Sequence, residues 1–192
     1  MTVQKAKQLA RGRLGDKRFA HTENVAAMAR ELARRYGADE EKAETAAWLH
    51  DIMKECPQAD LLRLADGDAI ISRWFGQNPP PTWHGPAAAL YLRGECGCTD
   101  EELLAAVAWH TTGRADMGLL EKVIYLADAV SAERSYPGVE NLRSLARQNL
   151  DEAVIAYMQY SIAFLQSTGR PVGEATRQAL QSLRQGSPPG NG

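Results

Sequence analysis

The doublet His50-Asp51, which closes the apolar stretch from Ala43 to Leu49, constrains this chain more than any other feature. An imidazole and a carboxylate side by side at a helix end suggest a metal site, and such a site needs ligands from other segments. The chain has four histidines, His21, His50, His84 and His110, each at or near the end of a predicted helix. Asp128 follows on yet another helix. A bundle can converge groups of this kind on its interior. The doublet alone would equally describe a capped surface turn; the remaining histidines favour the metal reading.

The hydrophobic period is helical throughout. Residues 2–14 read as a short amphipathic helix ended near Gly15-Asp16. From Phe19 to Tyr36 the apolar positions Val25, Met28, Ala29, Leu32 and Tyr36 recur at three and four, with Gly37 as the stop. His21 opens this helix on its core-facing stripe. Asp39 caps the next one, which runs through Ala43, Ala46 and Ala47 to the doublet. Pro57 breaks the pattern; helices over Ala59–Ala65 and Asp68–Phe75 follow, then the rigid loop Asn78-Pro79-Pro80-Pro81. His84 stands at a helix start, where Pro86 suits the first turn. Thr99 and Glu102 match a capping box that opens a helix ending at His110, before Thr111-Thr112-Gly113. In the apolar helix Leu119–Ala132, Asp128 lies four residues after Ile124 on the same face, and an inward carboxylate needs a partner. Helices over Leu142–Ala146, Asp151–Gln166 and Glu174–Arg184 complete the chain. There is no alternating strand pattern and no internal repeat. The expected fold is all-α, a single helical bundle over residues 1–185, with a disordered Gly- and Pro-rich tail over 186–192.

A net charge of -2, from 22 basic and 24 acidic residues, argues against a nucleic-acid partner bound by bulk electrostatics. No run approaches the roughly eighteen apolar residues of a membrane span, and no secretory leader is recognisable. Three cysteines, Cys56, Cys96 and Cys98, cannot all pair internally, which fits a reducing cytoplasm. Cys96 and Cys98 have no second thiol pair at zinc-finger spacing and read as structural residues. The expectation is a soluble cytoplasmic protein without membrane contact.

Nitrogen and oxygen donors without thiolate suit iron, manganese, cobalt or zinc. Six side chains, His21, His50, Asp51, His84, His110 and Asp128, are more than one tetrahedral ion uses. They fit two divalent ions that share Asp51 as a bridge, a centre suited to hydrolysing phosphate esters or anhydrides. Lys54 and Arg134 are the expected phosphate contacts, and with Asp51 they form the expected catalytic set. Arg134 lies a little under two turns past Asp128 if the helix continues that far. Thr111 and Thr112 can donate hydroxyls to phosphate or act as caps; Arg18 can reach the pocket or remain a surface charge. Trp48, Trp83 and Trp109, each within two residues of a proposed ligand, read as core packing beside the site rather than base-stacking platforms.

The order His21, His50-Asp51, Asp128 resembles the H…HD…D pattern of the HD-domain metal-dependent phosphohydrolases, and His84 with His110 resembles the subset with two metals. The blocks "AHTENVAAMARELA", "AAWLHDIMK", "WHGPAAA", "AWHTTG", "LEKVIYLADAV" and "ERSYPGVENLR" are similar to the YqeK-type symmetrical diadenosine tetraphosphatases. They span about Arg18 to Phe164, with the metal-site core over 18–134. The resemblance implies hydrolysis of diadenosine tetraphosphate, a small-molecule nucleotide partner, to two ADP, with iron as the ion. A homodimer is compatible with it. One departure is local: the family often carries an acidic-proline pair shortly before the arginine of its "R-x-x-PGV" block, where this chain has Ser131-Ala132-Glu133 before Arg134. Two alternatives remain open, an HD-domain phosphohydrolase acting on another nucleotide, and a metal-containing nucleotide sensor without turnover.

Overall fold

The computed structural model describes residues 1–186, and every regular element among them is helical. The tail expected over 186–192 lies, beyond Gly186, outside the described residues. The longest helix, α2 (Asp16–Tyr36), buries the stripe Val25, Ala29, Leu32 and Ala33. Gly37 closes it at φ 75°, a left-handed conformation that an added side chain would oppose. α2 starts earlier than the apolar pattern suggests, so His21 sits in its second turn instead of opening it. The cause is a tertiary contact: the Gly15 amide donates to the Glu55 carboxylate at 2.8 Å, tying the start of α2 to the segment just after the doublet.

Around α2 pack α3 (Glu40–Leu49) and α8 (Leu119–Val130), while α1 (Val3–Arg13) lies on α3. Asp39 caps α3 by accepting from the Lys42 amide at 2.9 Å. Ala43, Ala46 and Ala47 are wholly buried, and small side chains let α3 approach its neighbours closely. The next helices are α4 (Gln58–Ala65) and α5 (Ala69–Gln77), the latter capped by Asp68 on the amides of Ile70 and Ile71. The proline segment contains a 3-10 turn, Pro80–Thr82, which leads into α6 (His84–Gly94).

α7 (Glu101–Trp109) is capped by Asp100, not by Thr99 as the capping-box match suggests. Asp100 accepts from the Leu103 amide at 3.1 Å, and Glu102 turns away to Lys42 at 2.9 Å, so neither half of the expected box forms. α6 and α7 cross closely at Gly85, where a Cβ would stand 2.4 Å from the Ala108 carbonyl oxygen. α9 (Val139–Ala146), α10 (Leu150–Ser167) and α11 (Glu174–Gly186) complete the bundle, α10 packing on α8.

The interior where α2, α3, α7 and α8 meet contains Leu32, Leu49, Ile52, Val107, Val123, Ile124 and Leu126, all essentially inaccessible. Burying side chains of this size stabilises by about 1.5–3 kcal/mol each. The helix ends that carry His50, His84 and His110 therefore project from a well-packed core. No helix of the described residues is long and apolar enough to cross a membrane. Cys56, Cys96 and Cys98 are all free thiols.

Candidate metal centre

Five helices deliver the six side chains to one place: α2 supplies His21, the end of α3 His50 and Asp51, the start of α6 His84, the end of α7 His110, and α8 Asp128. Among the described residues, three overlapping triads have their ligand atoms within 4.8 Å of one another: His21, His50 and Asp51; His50, His110 and Asp128; Asp51, His84 and His110. The imidazoles pack edge to face, His21 on His50, His50 on His110 and His110 on His84.

Asp51 lies at the centre, and its two oxygens face different partners. Oδ1 is 3.1 Å from His84 Nε2 and 3.5 Å from His110 Nε2. Oδ2 is 3.5 Å from His50 Nε2 and 4.0 Å from His21 Nε2, and accepts from Arg18 Nη1 at 3.0 Å. His21 Nε2 is also 3.1 Å from Asp128 Oδ1.

The far side of each ring determines its tautomer. His50 Nδ1 meets the Ala47 carbonyl at 2.6 Å, His84 Nδ1 that of Pro81 at 3.0 Å, and His110 Nδ1 that of Val107 at 2.8 Å. His21 Nδ1 meets a Glu133 carboxylate oxygen. Carbonyls and carboxylates only accept, so every Nδ1 carries the proton and every Nε2 is left with a lone pair. Those lone pairs point at carboxylate oxygens and at one another; His84 and His110 Nε2 are 3.0 Å apart. Buried acceptors facing acceptors need a cation between them. Consistently, His21 Nε2 and His50 Nε2 are buried without a hydrogen-bond partner. The donor set fits divalent transition ions.

The surrounding charges favour this state. Burial by itself would raise the Asp51 pKa, but contacts with His50, His110 and His84 hold it well below the usual carboxylate range. For Asp128 the His21 contact and the Arg134 charge likewise outweigh burial. Burial, with His110 and Lys54 nearby, pushes His84 down to about 4 and keeps it neutral. His50 differs: burial lowers it, but Asp51 and Asp128 reverse the shift and raise it above its ordinary value. Burial also lowers Lys54.

Residues 18–133 match the HD domain. The chain belongs to the HD-domain family. Its relatives include the symmetrical bis(5'-nucleosyl)-tetraphosphatases of Bacillus subtilis, 37% identical over 90% of this chain and 92% of the relative, and of Halalkalibacterium halodurans, 38% identical over 88% and 89%. A crystal structure from Clostridium acetobutylicum, of an HD superfamily hydrolase described as involved in NAD metabolism, is similar with a TM-score of 0.88. It is 30% identical, and the match covers 97% of this chain and 99% of that one.

The other residues singled out by the sequence fall into distinct places in this HD domain. Lys54 Nζ is 3.4 Å from His84 Nε2, and Thr111 Oγ1 is 3.2 Å from His84 Nε2 and 3.0 Å from His110 Nε2. Arg18 and Arg134 line a cavity of about 710 Å³ that adjoins the centre beside His21, Glu133 and Tyr136. Arg134 is not carried on a continued helix: α8 stops at Val130, and the turn after it brings the guanidinium back to the Asp128 carbonyl at 2.9 Å and to the Asp128 carboxylate. Thr112 is not brought to the centre, because its buried hydroxyl donates to the Gly113 carbonyl at 2.9 Å. Trp48 packs on Phe19, Trp83 on Phe75 and Trp109 on Trp74, the packing role expected of them. Two participants escaped the sequence reading, Glu133 on His21 and Arg143, which holds the turn bearing Glu133. No local signal in the sequence announced either contact.

Proposed function

We propose that the chain is a metal-dependent phosphohydrolase that converts diadenosine tetraphosphate and water to two ADP. The observation that carries this reading is the convergence of four Nε2 lone pairs on the two oxygens of Asp51, with every Nδ1 already donating. His84, His110 and Asp51 Oδ1 would hold one divalent ion; His21, His50, Asp128 and Asp51 Oδ2 would hold a second. Iron is the proposed ion, with manganese, cobalt or zinc compatible with the same donors. When bound, the ions supply an activated water near neutral pH and neutralise charge at the transferring phosphoryl group.

The protein's own groups orient and shield the substrate. Arg18 and Arg134 at the cavity, and Lys54 beside His84, offer cationic donors to phosphate oxygens, and guanidinium pairs suit such recognition. Thr111 adds a hydroxyl beside His84 and His110. Buried Trp48 and the partly buried Trp83 and Trp109 flank the ligands and limit solvent around the centre, which strengthens charge interactions inside it. Symmetrical cleavage adds the water oxygen to one of the two central phosphorus atoms, and the bridging oxygen leaves with the other ADP. The similarity to symmetrical tetraphosphatases over nine-tenths of the chain supports this choice of substrate.

The test is a product assay on iron- or manganese-loaded protein, with ADP, ATP and AMP resolved by chromatography. ADP alone is expected. ATP plus AMP would overturn symmetrical cleavage, and metal binding without turnover would favour another nucleotide or a sensing role.

A further inference from the structure

Three of the four histidines orient themselves by the same local device. His50, His84 and His110 each donate Nδ1–H to the carbonyl three residues earlier, that of Ala47, Pro81 and Val107. Each carbonyl lies in the last turn of a helix or in the turn before one, where backbone acceptors have no helical partner. His21 cannot use this device. It lies inside α2, where the carbonyls one turn back already accept helical amides, and that of Arg18 also accepts the Thr22 hydroxyl at 3.0 Å. An acceptor for its Nδ1 must come from elsewhere in the fold.

We infer that Glu133 is the positioning residue for His21, and that Arg143 holds Glu133 in place. The Glu133 carboxylate takes the His21 Nδ1 proton in a hydrogen bond and also accepts from Ser131 Oγ at 2.8 Å. Glu133 has no helical support, because α8 has ended at Val130. Arg143 of α9 replaces that support: it donates to the carbonyls of Val130 at 3.0 Å, Ser131 at 2.7 Å and Arg134 at 2.8 Å. One guanidinium thus fixes both sides of the turn. Glu133 orients the ring so that Nε2 faces Asp51 and Asp128, and an anionic acceptor makes that nitrogen a stronger donor than a carbonyl would.

The consequence for metal affinity rests on the reading above; the consequence for the ring tautomer does not. Two measurements on the full chain separate them. Ring 15N spectra of the metal-free protein at pH 8 report which nitrogen of His21 carries the proton, and titration of chelator-stripped protein with manganese reports affinity. In native protein His21 is expected as the Nδ1–H tautomer. Glu133→Ala should mix its tautomers and weaken one manganese site about 10–100-fold, the range seen for groups that orient ligands. Glu133→Gln keeps an acceptor oxygen, so it should retain the tautomer and recover most of the affinity. Arg143→Lys cannot span the three carbonyls and should give a milder version of the alanine result. An unchanged His21 spectrum in Glu133→Ala would overturn the inference. If native protein takes up no manganese while Glu133→Ala still changes the His21 tautomer, the inference stands and the metal reading falls.

Discussion

The two sides of Asp51 are built differently. On the Oδ1 side, His84 and His110 have side chains only 3% and 1% exposed, each fixed by a helix end and its own backbone carbonyl. On the Oδ2 side His50 is as sealed, at 0%, but exposure then rises to 10% at His21, 24% at Asp128 and 35% at Glu133, next to the cavity lined by Arg18 and Arg134. The sealed side is made of helix ends locked into the core; the open side depends on a turn stapled by Arg143. Rigid positioning and proximity to the cavity are therefore divided between opposite oxygens of a single carboxylate. Under the proposed function, an anionic substrate in the cavity would meet the open side first.

Removing the group shared by both sides should erase the contrast. Asp51→Ala is expected to lower kcat by roughly 10³-fold, about 4 kcal/mol of lost charge stabilisation, and to reduce bound metal. Full turnover by that variant would show that no shared carboxylate is needed.

The sealed side can be broken without touching a ligand. In Gly85→Ala the new Cβ would press on the Ala108 carbonyl, a backbone atom that cannot swing aside as a side chain could. α6 and α7 must then separate, carrying His84 away from His110. Overpacking of this kind costs about 1–3 kcal/mol, which for a chain of this size lowers Tm by roughly 2–4 °C per kcal/mol. Metal analysis should show loss from the sealed side, with the open-side tautomer of His21 intact. An unchanged Tm would mean that the helix crossing tolerates a methyl group.

The open side should respond in substrate kinetics instead. Arg134→Ala is expected to lower kcat/KM about 10–100-fold, equivalent to about 1.4–2.7 kcal/mol. Metal content should stay at the native level, because His21, His50 and Asp51, which would hold the ion, do not depend on Arg134 for their contacts. If metal is lost as well, Arg134 serves mainly to hold Asp128.

The same contrast explains how much was legible in the chain. The helices follow from local signals, period and caps; His50, His84 and His110 follow from their places at helix boundaries, and His21 and Asp128 from the core-facing stripes of their helices. Gly37 and Asp39 act as their residue types suggest. Where a distant partner competes with a local preference, the pattern misleads. Glu102 prefers Lys42 to its own N-cap, and the start of α2 is drawn back by Glu55. The turn after Val130 was illegible for the same reason, since its shape depends on Arg143, nine residues beyond Arg134 in the chain and on another helix. Periodicity extends α8 through Ala132 because nothing within α8 announces that its next carbonyls belong to a guanidinium.

The two threonines after His110 provide the finest test of the boundary between the sides. Both are hydroxyl donors one step apart at the end of α7, and nothing in the sequence separates them. The structure does: Thr111 Oγ1 sits between the Nε2 atoms of His84 and His110, whereas Thr112 Oγ1 is buried and spends its proton on the Gly113 carbonyl. Thr112→Val should therefore cost only the net value of a buried hydrogen bond, about 0.5–1.5 kcal/mol, read as a small fall in Tm with KM and metal content unchanged. Thr111→Val should do the reverse, raising KM with little change in Tm, because its hydroxyl supports no backbone group. If Thr112→Val raised KM instead, the end of α7 would have to turn during turnover, and the sealed side would be less rigid than its packing indicates.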